Sequence, residues 1–207
     1  MATISDLKFQ KNKKRVNVFL DGGYYCALQY ETIVKHGLKV GDEIEKTRLD
    51  EIQSQSEINK AKEVALNLLE KKMYTVHDIK KKLKEKGFLP SVADEVCQTL
   101  SGYGYVDDRI YAKSYCIDNS RRSKKDLMYK LKSKGVPDDV ITAQLDELDP
   151  EAEKENCRMW AQKFLKTSAK KNNLKQKLFA HLLAKGFGFD TIRPVAEELL
   201  GTIDEYD

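Results

Sequence analysis

One segment occurs three times in this chain, and this repeat restricts the fold to stacked copies of one small unit. The copies occupy residues 75–87, 123–135 and 174–186, and each ends at a glycine. Within each copy two apolar residues lie four positions apart, which places them on one face of a helix. We therefore predict three amphipathic core helices that carry these apolar pairs: Ile79 and Leu83, Leu127 and Leu131, Leu178 and Leu182.

The first two copies begin with residues that favour a helix start. Thr75 is followed three positions later by Asp78, and Ser123 is followed in the same way by Asp126. Such a hydroxyl and carboxylate can satisfy amides that have no partner in the first helical turn. In the third copy Asn173 takes the place of the hydroxyl, one residue out of step. The final glycine of each copy favours a helix end, because glycine adopts the left-handed conformation readily.

Further amphipathic segments precede and follow each core helix. Because a single amphipathic helix cannot bury its own apolar face, each repeat is predicted to be a unit of three helices. The fold class predicted is mainly α, with three tandem three-helix repeats in an extended array and a small N-terminal antiparallel β-sheet. The predicted divisions are an N-terminal extension at 1–55, repeats at 56–106 and 107–149, and a third repeat with an acidic tail at 150–207.

The N-terminal extension differs from the repeats in being rich in β-branched and aromatic residues. Apolar residues alternate with others on both sides of Asp21-Gly22-Gly23, a pattern typical of a β-hairpin. A third strand before this hairpin completes the small sheet, and a basic turn joins it to the next strand. The strands, a short helix and the polar connection to the first repeat are predicted at 3–10, 15–20, 24–30, 32–36 and 53–57.

The composition of the 207-residue chain favours several small modules over one large core. Apolar residues make up 41% and charged residues 34% of the sequence, a balance that fits an array of three-helix units. No apolar run is long enough to cross a bilayer and no secretory signal pattern opens the chain, so we expect a cytoplasmic protein. The four cysteines are widely spaced among apolar neighbours, which indicates buried thiols.

The net charge of +4 is unevenly distributed along the chain. Residues 120–135 carry seven Lys and Arg with one acid, and residues 162–185 carry seven lysines with no acid. Residues 138–155 carry eight acids and one lysine. Stacked repeats would therefore have one positive and one negative edge.

Two adjacent aspartates stand between the first two repeats. Asp107 or Asp108 is predicted to cap the following helix, where acids are favoured by the positive end of the helix dipole. A metal site or an acid–base site would need a histidine or a third carboxylate close by. The neighbouring sequence contains neither.

Three features of the sequence together resemble a known family. They are the segment Gly104-Tyr105-Val106-Asp107-Asp108 with Tyr111-Ala112 after it, the Leu-x-x-Lys-Gly ends of the first two core helices, and the three tandem repeats. The family is RecX, the regulators of the RecA recombinase, and the resemblance covers about residues 58–200. The N-terminal extension resembles that of RecX proteins from Gram-positive bacteria. Ser123-Lys124-Lys125 stands where many members have a glycine.

The resemblance implies a regulator that has no enzymatic activity of its own and needs no cofactor. Its partner would be the RecA filament on single-stranded DNA, in whose helical groove it would lie. It would inhibit strand exchange and repressor cleavage in the SOS response, regulate ATP hydrolysis and promote filament disassembly. Binding to bare single-stranded DNA, and to double-stranded DNA as well, is associated with the family. We expect a monomer without membrane contact.

Basic residues at turns and helix starts are the candidate contacts to DNA phosphate or to an acidic filament surface. Side-chain charge and unpaired helix amides together favour anions, and an arginine pair adds forked donors that lysine lacks. The alternative for a lysine-rich helix face is simple solvation, which we favour for Lys80–Lys82. The candidates are Lys13, Lys14, Arg15, Arg121, Arg122, Lys124, Lys125, Lys170, Lys171 and Lys175.

Aromatic residues near these clusters have two interpretations. Tyr103, Tyr105, Tyr111 and Tyr115 could stack on the bases of a single strand. The four-residue spacing of Tyr111 and Tyr115 favours core packing, and so does the spacing of Trp160 and Phe164. We therefore predict that the last two pairs belong to the core.

Two other function classes stay open on the sequence. A helix-turn-helix DNA-binding regulator is the nearest alternative, since a capped helix, a glycine turn and a second helix recur. However, the helices after the glycines begin with acidic segments such as Pro137-Asp138-Asp139, which would repel phosphate. A protein-interaction scaffold without DNA contact is the second alternative. Catalysis is not indicated, because the three histidines, at 36, 77 and 181, stand in no catalytic grouping.

Overall fold

The computed structural model describes residues 1–11, 13–168 and 173–201. Lys170 and Lys171, two of the predicted contacts, lie outside the described residues. The described part of the chain is mainly helical and carries an antiparallel N-terminal sheet, which confirms the predicted fold class.

The chain forms two compact units. The first comprises Met1–Lys72 with Ile79–Tyr105, and the second comprises Met73–Asp78 with Val106–Asp207. Each unit buries apolar side chains of its own. The boundaries predicted at residues 55, 106 and 149 stay a prediction.

The sheet of the first unit contains four strands in the order β3-β2-β1-β4. The hairpin β2–β3 was predicted, and its turn holds Asp21 and Gly22 at φ 50° and 85°, the two left-handed positions that a type I′ turn requires. The fourth strand was not predicted, since two residues are too few to show an alternating pattern. The strands are β1 (Ala2–Phe9), β2 (Arg15–Leu20), β3 (Gly23–Gln29) and β4 (Glu43–Ile44).

One face of this sheet is buried under two helices, α1 (Tyr30–His36) and the start of α2 (Lys46–Leu69). Along β2 every second side chain is buried, as the alternating pattern predicts. Leu49 and Ile52 of α2 belong to the same apolar cluster as these strand residues. A small sheet that is marginal alone is thus stabilised by helix packing.

Helix α2 is longer than predicted. The segment 53–57, predicted to be a polar connection, lies inside it, so that prediction is wrong. The helix continues because Ile52 and Ser56 both fall on its buried face. Ser56 is not left unpaired there, since its hydroxyl accepts a hydrogen bond from the Thr32 hydroxyl at 3.0 Å.

The remaining helices follow the predicted order within each repeat. Helix α3 begins in the second unit and ends in the first, and α4 belongs to the first unit. In the second unit α5, α6 and α7 share one apolar core, and α8, α9 and α10 share another. The helices are α3 (Val76–Glu85), α4 (Pro90–Gly102), α5 (Asp108–Asp118), α6 (Lys124–Ser133), α7 (Asp138–Asp146), α8 (Pro150–Ser168), α9 (Leu174–Ala184) and α10 (Phe189–Leu200).

The three predicted core helices are α3, α6 and α9, and their six apolar residues are all buried. Each helix ends two residues before its predicted glycine, and φ lies between 71° and 87° at Gly87, Gly135 and Gly186. The amide after each glycine donates to the carbonyl five residues earlier, at 3.1 to 3.2 Å. This bond is that of a Schellman helix end, and the left-handed glycine that the sequence indicated is confirmed.

The predicted hydroxyl caps are confirmed in the first two core helices. The Thr75 hydroxyl accepts from the Asp78 amide at 3.0 Å, and the Ser123 hydroxyl accepts from the Asp126 amide at 3.2 Å. Of the two candidate aspartates before α5, Asp107 is the cap, since its carboxylate accepts from two amides of the first turn. No side-chain bond caps α9 at Asn173.

The four cysteines are buried free thiols, as predicted. Burial raises the pKa of Cys26 and of Cys157 to about 11, which keeps both thiols protonated at neutral pH. None of the helices in the described residues combines the length and the apolar content that crossing a membrane requires.

Candidate functional site

A groove of about 670 Å³ lies in the second unit, beside the loop from α5 to α6, helix α8 and the end of α9. Four cationic side chains line it, against two carboxylates. Two of the cations, Arg121 and Arg122, were predicted as contacts, whereas Lys130 and Lys185 were not. The charged lining residues are Arg121, Arg122, Lys130, Lys185, Asp118 and Asp126.

The Arg122 guanidinium is held in one orientation. Its Nε donates to Asn119 Oδ1 at 2.9 Å, and its Nη1 donates to Asp126 Oδ2 at 2.6 Å. The hydrogen bond to Asp126 raises the pKa of Arg122, whose guanidinium is charged at every physiological pH. Two nitrogens are thus occupied, and the third, Nη2, is left to meet a ligand.

Arg121 differs from Arg122 in having an exposed side chain that makes no ion pair within the described residues. Its backbone is fixed nonetheless, because its carbonyl oxygen accepts a hydrogen bond from Trp160 Nε1 at 3.1 Å. The carbonyl of Ser120 accepts from Asn156 Nδ2 at 2.6 Å. A loop anchored at two carbonyls therefore presents an unpaired guanidinium.

Trp160 was predicted to be a core residue, and this is only part of its role. The side chain is half-buried against the apolar cluster of α8 to α10, and it also lines the groove. The Lys185 ammonium lies 4.3 Å and the Lys163 ammonium 5.4 Å from the centroid of its rings. These cation–π contacts hold the Lys185 charge at the groove and the Lys163 charge beside the same ring. The four-residue spacing of Trp160 and Phe164 predicted that Trp160 is buried, but it did not predict that the ring lines a groove.

The other predicted contacts that the structure describes in the second unit, namely Lys124, Lys125 and Lys175, are not part of this lining. The ammonium of Lys124 donates a hydrogen bond to the carbonyl oxygen of Leu148 at 3.0 Å, so this lysine already has a partner. Lys125 is exposed on the first turn of α6. Lys175 is exposed on the first turn of α9.

The first unit carries the remaining predicted contacts at the turn between β1 and β2. Lys13 and Lys14 are exposed there. Arg15 is half-buried, and its Nη2 donates to the carbonyl of Ala27 at 2.9 Å. The guanidinium of Arg15 is thus partly committed to the sheet.

The tyrosines divide as their spacing predicted. Tyr111 and Tyr115 are half-buried against the core of α5 to α7, with nearly parallel rings 6.3 Å apart. Tyr103 and Tyr105 belong to the first unit and are 68% and 61% exposed. The Lys62 ammonium lies 5.1 Å from the ring centroid of Tyr103. Stacking on the bases of a single strand therefore stays a prediction for Tyr103 and Tyr105.

The groove has the chemistry of an anion-binding surface. It offers guanidinium and ammonium donors beside an indole ring, which suits phosphate, carboxylate or a nucleic-acid strand. Within the residues that the structure describes, no three side chains of His, Cys, Asp or Glu come together as metal ligands would.

Family models match three regions of the chain. Residues 2–45 match the regulatory protein RecX N-terminal domain. Residues 61–100 match the first three-helix domain of RecX, and residues 151–195 match the third.

Curated relatives match over nearly the full chain. The regulatory protein RecX of Clostridium botulinum (strain Alaska E43 / Type E3) is 35% identical over 206 residues and covers 97% of each chain. That of Bacillus licheniformis is 33% identical over 204 residues and covers 96% of this chain and 78% of its own. These alignments run through the sheet and all three repeats.

Solved structures agree with the sequence relatives. A crystal structure of regulatory protein RecX superimposes with a TM-score of 0.72 at 27% identity, covering 95% of this chain and all of that one. The crystal structure of RecX from Lactobacillus salivarius gives a TM-score of 0.64 at 25% identity, over 69% of this chain and 96% of that one. The chain belongs to the RecX family of regulatory proteins.

Proposed function

We propose that this chain regulates the RecA recombinase by binding the filament that the recombinase forms on single-stranded DNA, and that its main effect is inhibition. The observation that carries this proposal is the groove in which Arg121 and Arg122 lie with Lys130, Lys185 and Trp160. Membership of the RecX family supports the choice of partner. A filament presents both DNA phosphates and protein carboxylates to such a surface.

The two arginines contribute in different ways. A guanidinium matches a phosphate or a carboxylate with two parallel hydrogen bonds. Arg122, held by Asn119 and Asp126, has a fixed direction and one nitrogen left to bind. Arg121 is unpaired within the described residues and can adapt to the ligand. One pre-oriented and one adaptable cation suit a polymeric anion.

The mechanism proposed is that the bound protein occupies filament surface that other partners of the filament need. A regulator bound along the filament competes with strand exchange, with repressor cleavage in the SOS response and with the conformational cycle that accompanies ATP hydrolysis. Bound copies also favour disassembly if they bind the filament end or interrupt subunit contacts. The protein would act in the bacterial cytoplasm during DNA repair, as a monomer, with no cofactor and no catalysis of its own.

Binding to bare DNA is a second activity that the charge distribution supports. Lys13 and Lys14 are exposed in the first unit, and Lys125 and Lys175 are exposed in the second. Contacts of this kind add affinity for single- or double-stranded DNA without reading sequence, and the affinity falls as salt rises. A helix-turn-helix regulator would need base-reading side chains at a helix start, where α7 instead presents exposed Asp138 and Asp139.

The experiment that tests the proposal is RecA ATP hydrolysis on single-stranded DNA, with this protein added below one copy per recombinase subunit. Inhibition at that ratio is expected, because a filament regulator acts on many subunits at once. If hydrolysis is unchanged while salt-sensitive binding to bare DNA is present, the DNA-binding alternative replaces the proposal. If neither is observed, a protein scaffold without DNA contact replaces it.

A further inference from the structure

Two junctions in the second unit are built in the same way, each where a helix start meets a helix end. In the first, the Thr75 hydroxyl donates to the carbonyl oxygen of Lys134 at 2.8 Å. The amide of Val76 donates to Asp108 Oδ1 at 2.9 Å. The helix start thus supplies a hydroxyl and an amide. The carbonyl of Lys134 and the carboxylate of Asp108 accept these two bonds, and we call such a pair of acceptors the receiving side.

The second junction repeats these bonds, and its helix start, at Ser123, lies 48 residues after Thr75. The Ser123 hydroxyl donates to the carbonyl of Lys185 at 2.9 Å. The amide of Lys124 donates to Glu153 Oε1 at 3.0 Å. Thr75 and Ser123 are both buried, at 0% and 1% exposure, so these junctions exclude water.

A glycine lets the two partners approach in both junctions. A Cβ atom added to Gly135 would lie 2.4 Å from His77 Cβ, and one added to Gly186 would lie 2.6 Å from Ser123 Oγ. Distances this short are not tolerated between non-bonded atoms. The receiving side is therefore a carbonyl, a glycine directly after it, and an acid.

The acid has a fixed place in the repeat. Asp108 stands four residues before the buried Ala112, and Glu153 stands four residues before the buried Cys157. In the first unit Glu57 stands four residues before the buried Ala61. Glu57 is therefore the first member of the same series.

The first unit contains the other parts of a receiving side as well. Lys86 and Gly87 correspond to Lys134 and Gly135, with the same Schellman helix end and φ +87° at the glycine. Here, however, a Cβ added to Gly87 would meet nothing within 4 Å. Lys86 is exposed, and within the described residues no side chain donates to its carbonyl.

We propose that Glu57, Lys86 and Gly87 form a docking site for the capped N-terminus of a helix from a partner protein. The two occupied junctions define what that helix presents: a Ser or Thr cap for the Lys86 carbonyl and a first-turn amide for Glu57. A carboxylate three residues after the cap would pair with the Lys86 ammonium, as Asp78 pairs with Lys134 at 3.4 Å. The negative Glu57 also suits the positive end of a helix dipole.

A second copy of this chain does not supply that helix start. The corresponding position in the third repeat is Asn173, which has the left-handed φ of 60° and makes no cap bond with its side chain. Three residues later stands Gln176 in place of an acid. The hydroxyl and the carboxylate that the site would receive are both missing at this helix start. The Thr75 and Ser123 hydroxyls are already bonded to Lys134 and Lys185 within the chain, so the occupant is a different protein.

The test uses the full chain and a peptide that copies residues 74–86, with Lys81 and Glu85 joined by a lactam to stabilise the helix. Titration is followed by the backbone amide resonances of the isotopically labelled protein. Shifts that saturate at Glu57 and at Lys86–Leu89 are expected. The amides of Lys134–Val136 should not shift, because that receiving side is already occupied.

The controls remove each half of the contact. A peptide with Thr75→Val and Asp78→Asn should lose the shifts, and so should the protein variants Gly87→Asn and Glu57→Gln, whose other resonances report that they are folded. Equal shifts with the control peptide, shifts at Lys134–Val136, or none at Glu57 and Lys86–Leu89 would overturn the site. Shifts at Gly87 on raising the protein concentration alone would assign the site to a second copy and overturn the proposed partner.

Discussion

The hydroxyl of Thr75 donates to the carbonyl oxygen of Lys134, 59 positions away in the sequence, at 2.8 Å. The oxygen of the same Thr75 hydroxyl, Oγ1, accepts a hydrogen bond from the amide of Asp78 at 3.0 Å. One buried atom thus caps helix α3 and joins its first turn to the end of α6. Loss of this oxygen would leave a buried carbonyl and a helix amide without partners.

Thr75→Val is predicted to destabilise the second unit by about 1 to 3 kcal/mol, the usual range for losing a cap together with a buried hydrogen bond. Valine keeps the shape of threonine and removes only the hydrogen-bonding oxygen. Thr75→Ser is the matched control, since it keeps the oxygen, and Ser123 performs the same role in the second junction. Urea unfolding measures both variants. Equal stability of the two would show that the methyl group, and not the hydroxyl, matters.

Gly135→Ala is predicted to destabilise the protein more than Gly87→Ala. Both residues have left-handed backbone angles, so both variants incur a strain of about 1 to 2 kcal/mol. Only at Gly135 would the new Cβ meet another residue, His77, at 2.4 Å. Thermal unfolding of the pair isolates the cost of that collision. A smaller loss for Gly135→Ala than for Gly87→Ala would contradict the junction geometry.

Asp108 is predicted to make stability depend on pH. Burial raises the pKa of its carboxyl, while the hydrogen bond from the Val76 amide lowers it. Because the folded-state pKa lies above the unfolded value, ionisation of Asp108 opposes folding, and this penalty appears as the pH rises through the folded-state pKa. Protonation at low pH removes the penalty.

The variant Asp108→Asn tests this prediction because it keeps an oxygen acceptor for Val76 and has no charge to bury. Its stability relative to the wild type should be greater at pH 7 than at about pH 3, where the aspartate itself is protonated. Asp108→Ala removes the acceptor and should be less stable than Asp108→Asn at both pH values, by about 1 to 2 kcal/mol. Chemical unfolding at the two pH values measures all three proteins. If the stability of Asp108→Asn relative to the wild type increases toward low pH, the prediction that ionisation of Asp108 opposes folding is contradicted.

Features set by neighbouring residues were predictable from the sequence. The four-residue spacing of Leu127 and Leu131 identified the buried face of α6, and the Ser123 hydroxyl identified its first turn. Gly135 identified its end. In each case the deciding interaction spans only a few positions along the chain.

Features set by distant residues were not predictable in the same way. Asp108 was a candidate cap for α5, yet it accepts from the amide of Val76, 32 positions away. The spacing of Trp160 and Phe164 predicted that Trp160 is a core residue. Its position beside Arg121 and Lys185 follows from packing between α8, α9 and the loop before α6, which the spacing does not show. Helix α2 was predicted too short, because its polar residues gave no sign that Ser56 would find a partner in α1.

Joint replacement of Arg121 and Arg122 by alanine tests most directly whether these two arginines carry binding to the recombinase filament. The matched control is Arg193→Ala, which removes an exposed arginine from α10, outside the groove. Arg122→Ala also removes the bond to Asp126, so circular dichroism should confirm that helicity is retained.

The measurement is equilibrium binding of each protein to RecA filaments assembled on labelled single-stranded DNA with a non-hydrolysable ATP analogue, followed by fluorescence anisotropy. Charge-assisted hydrogen bonds contribute about 1.5 to 3 kcal/mol each, so the double variant should bind at least about tenfold more weakly. Arg193→Ala should bind as the wild type does. An unchanged affinity of the double variant at retained helicity would contradict the account.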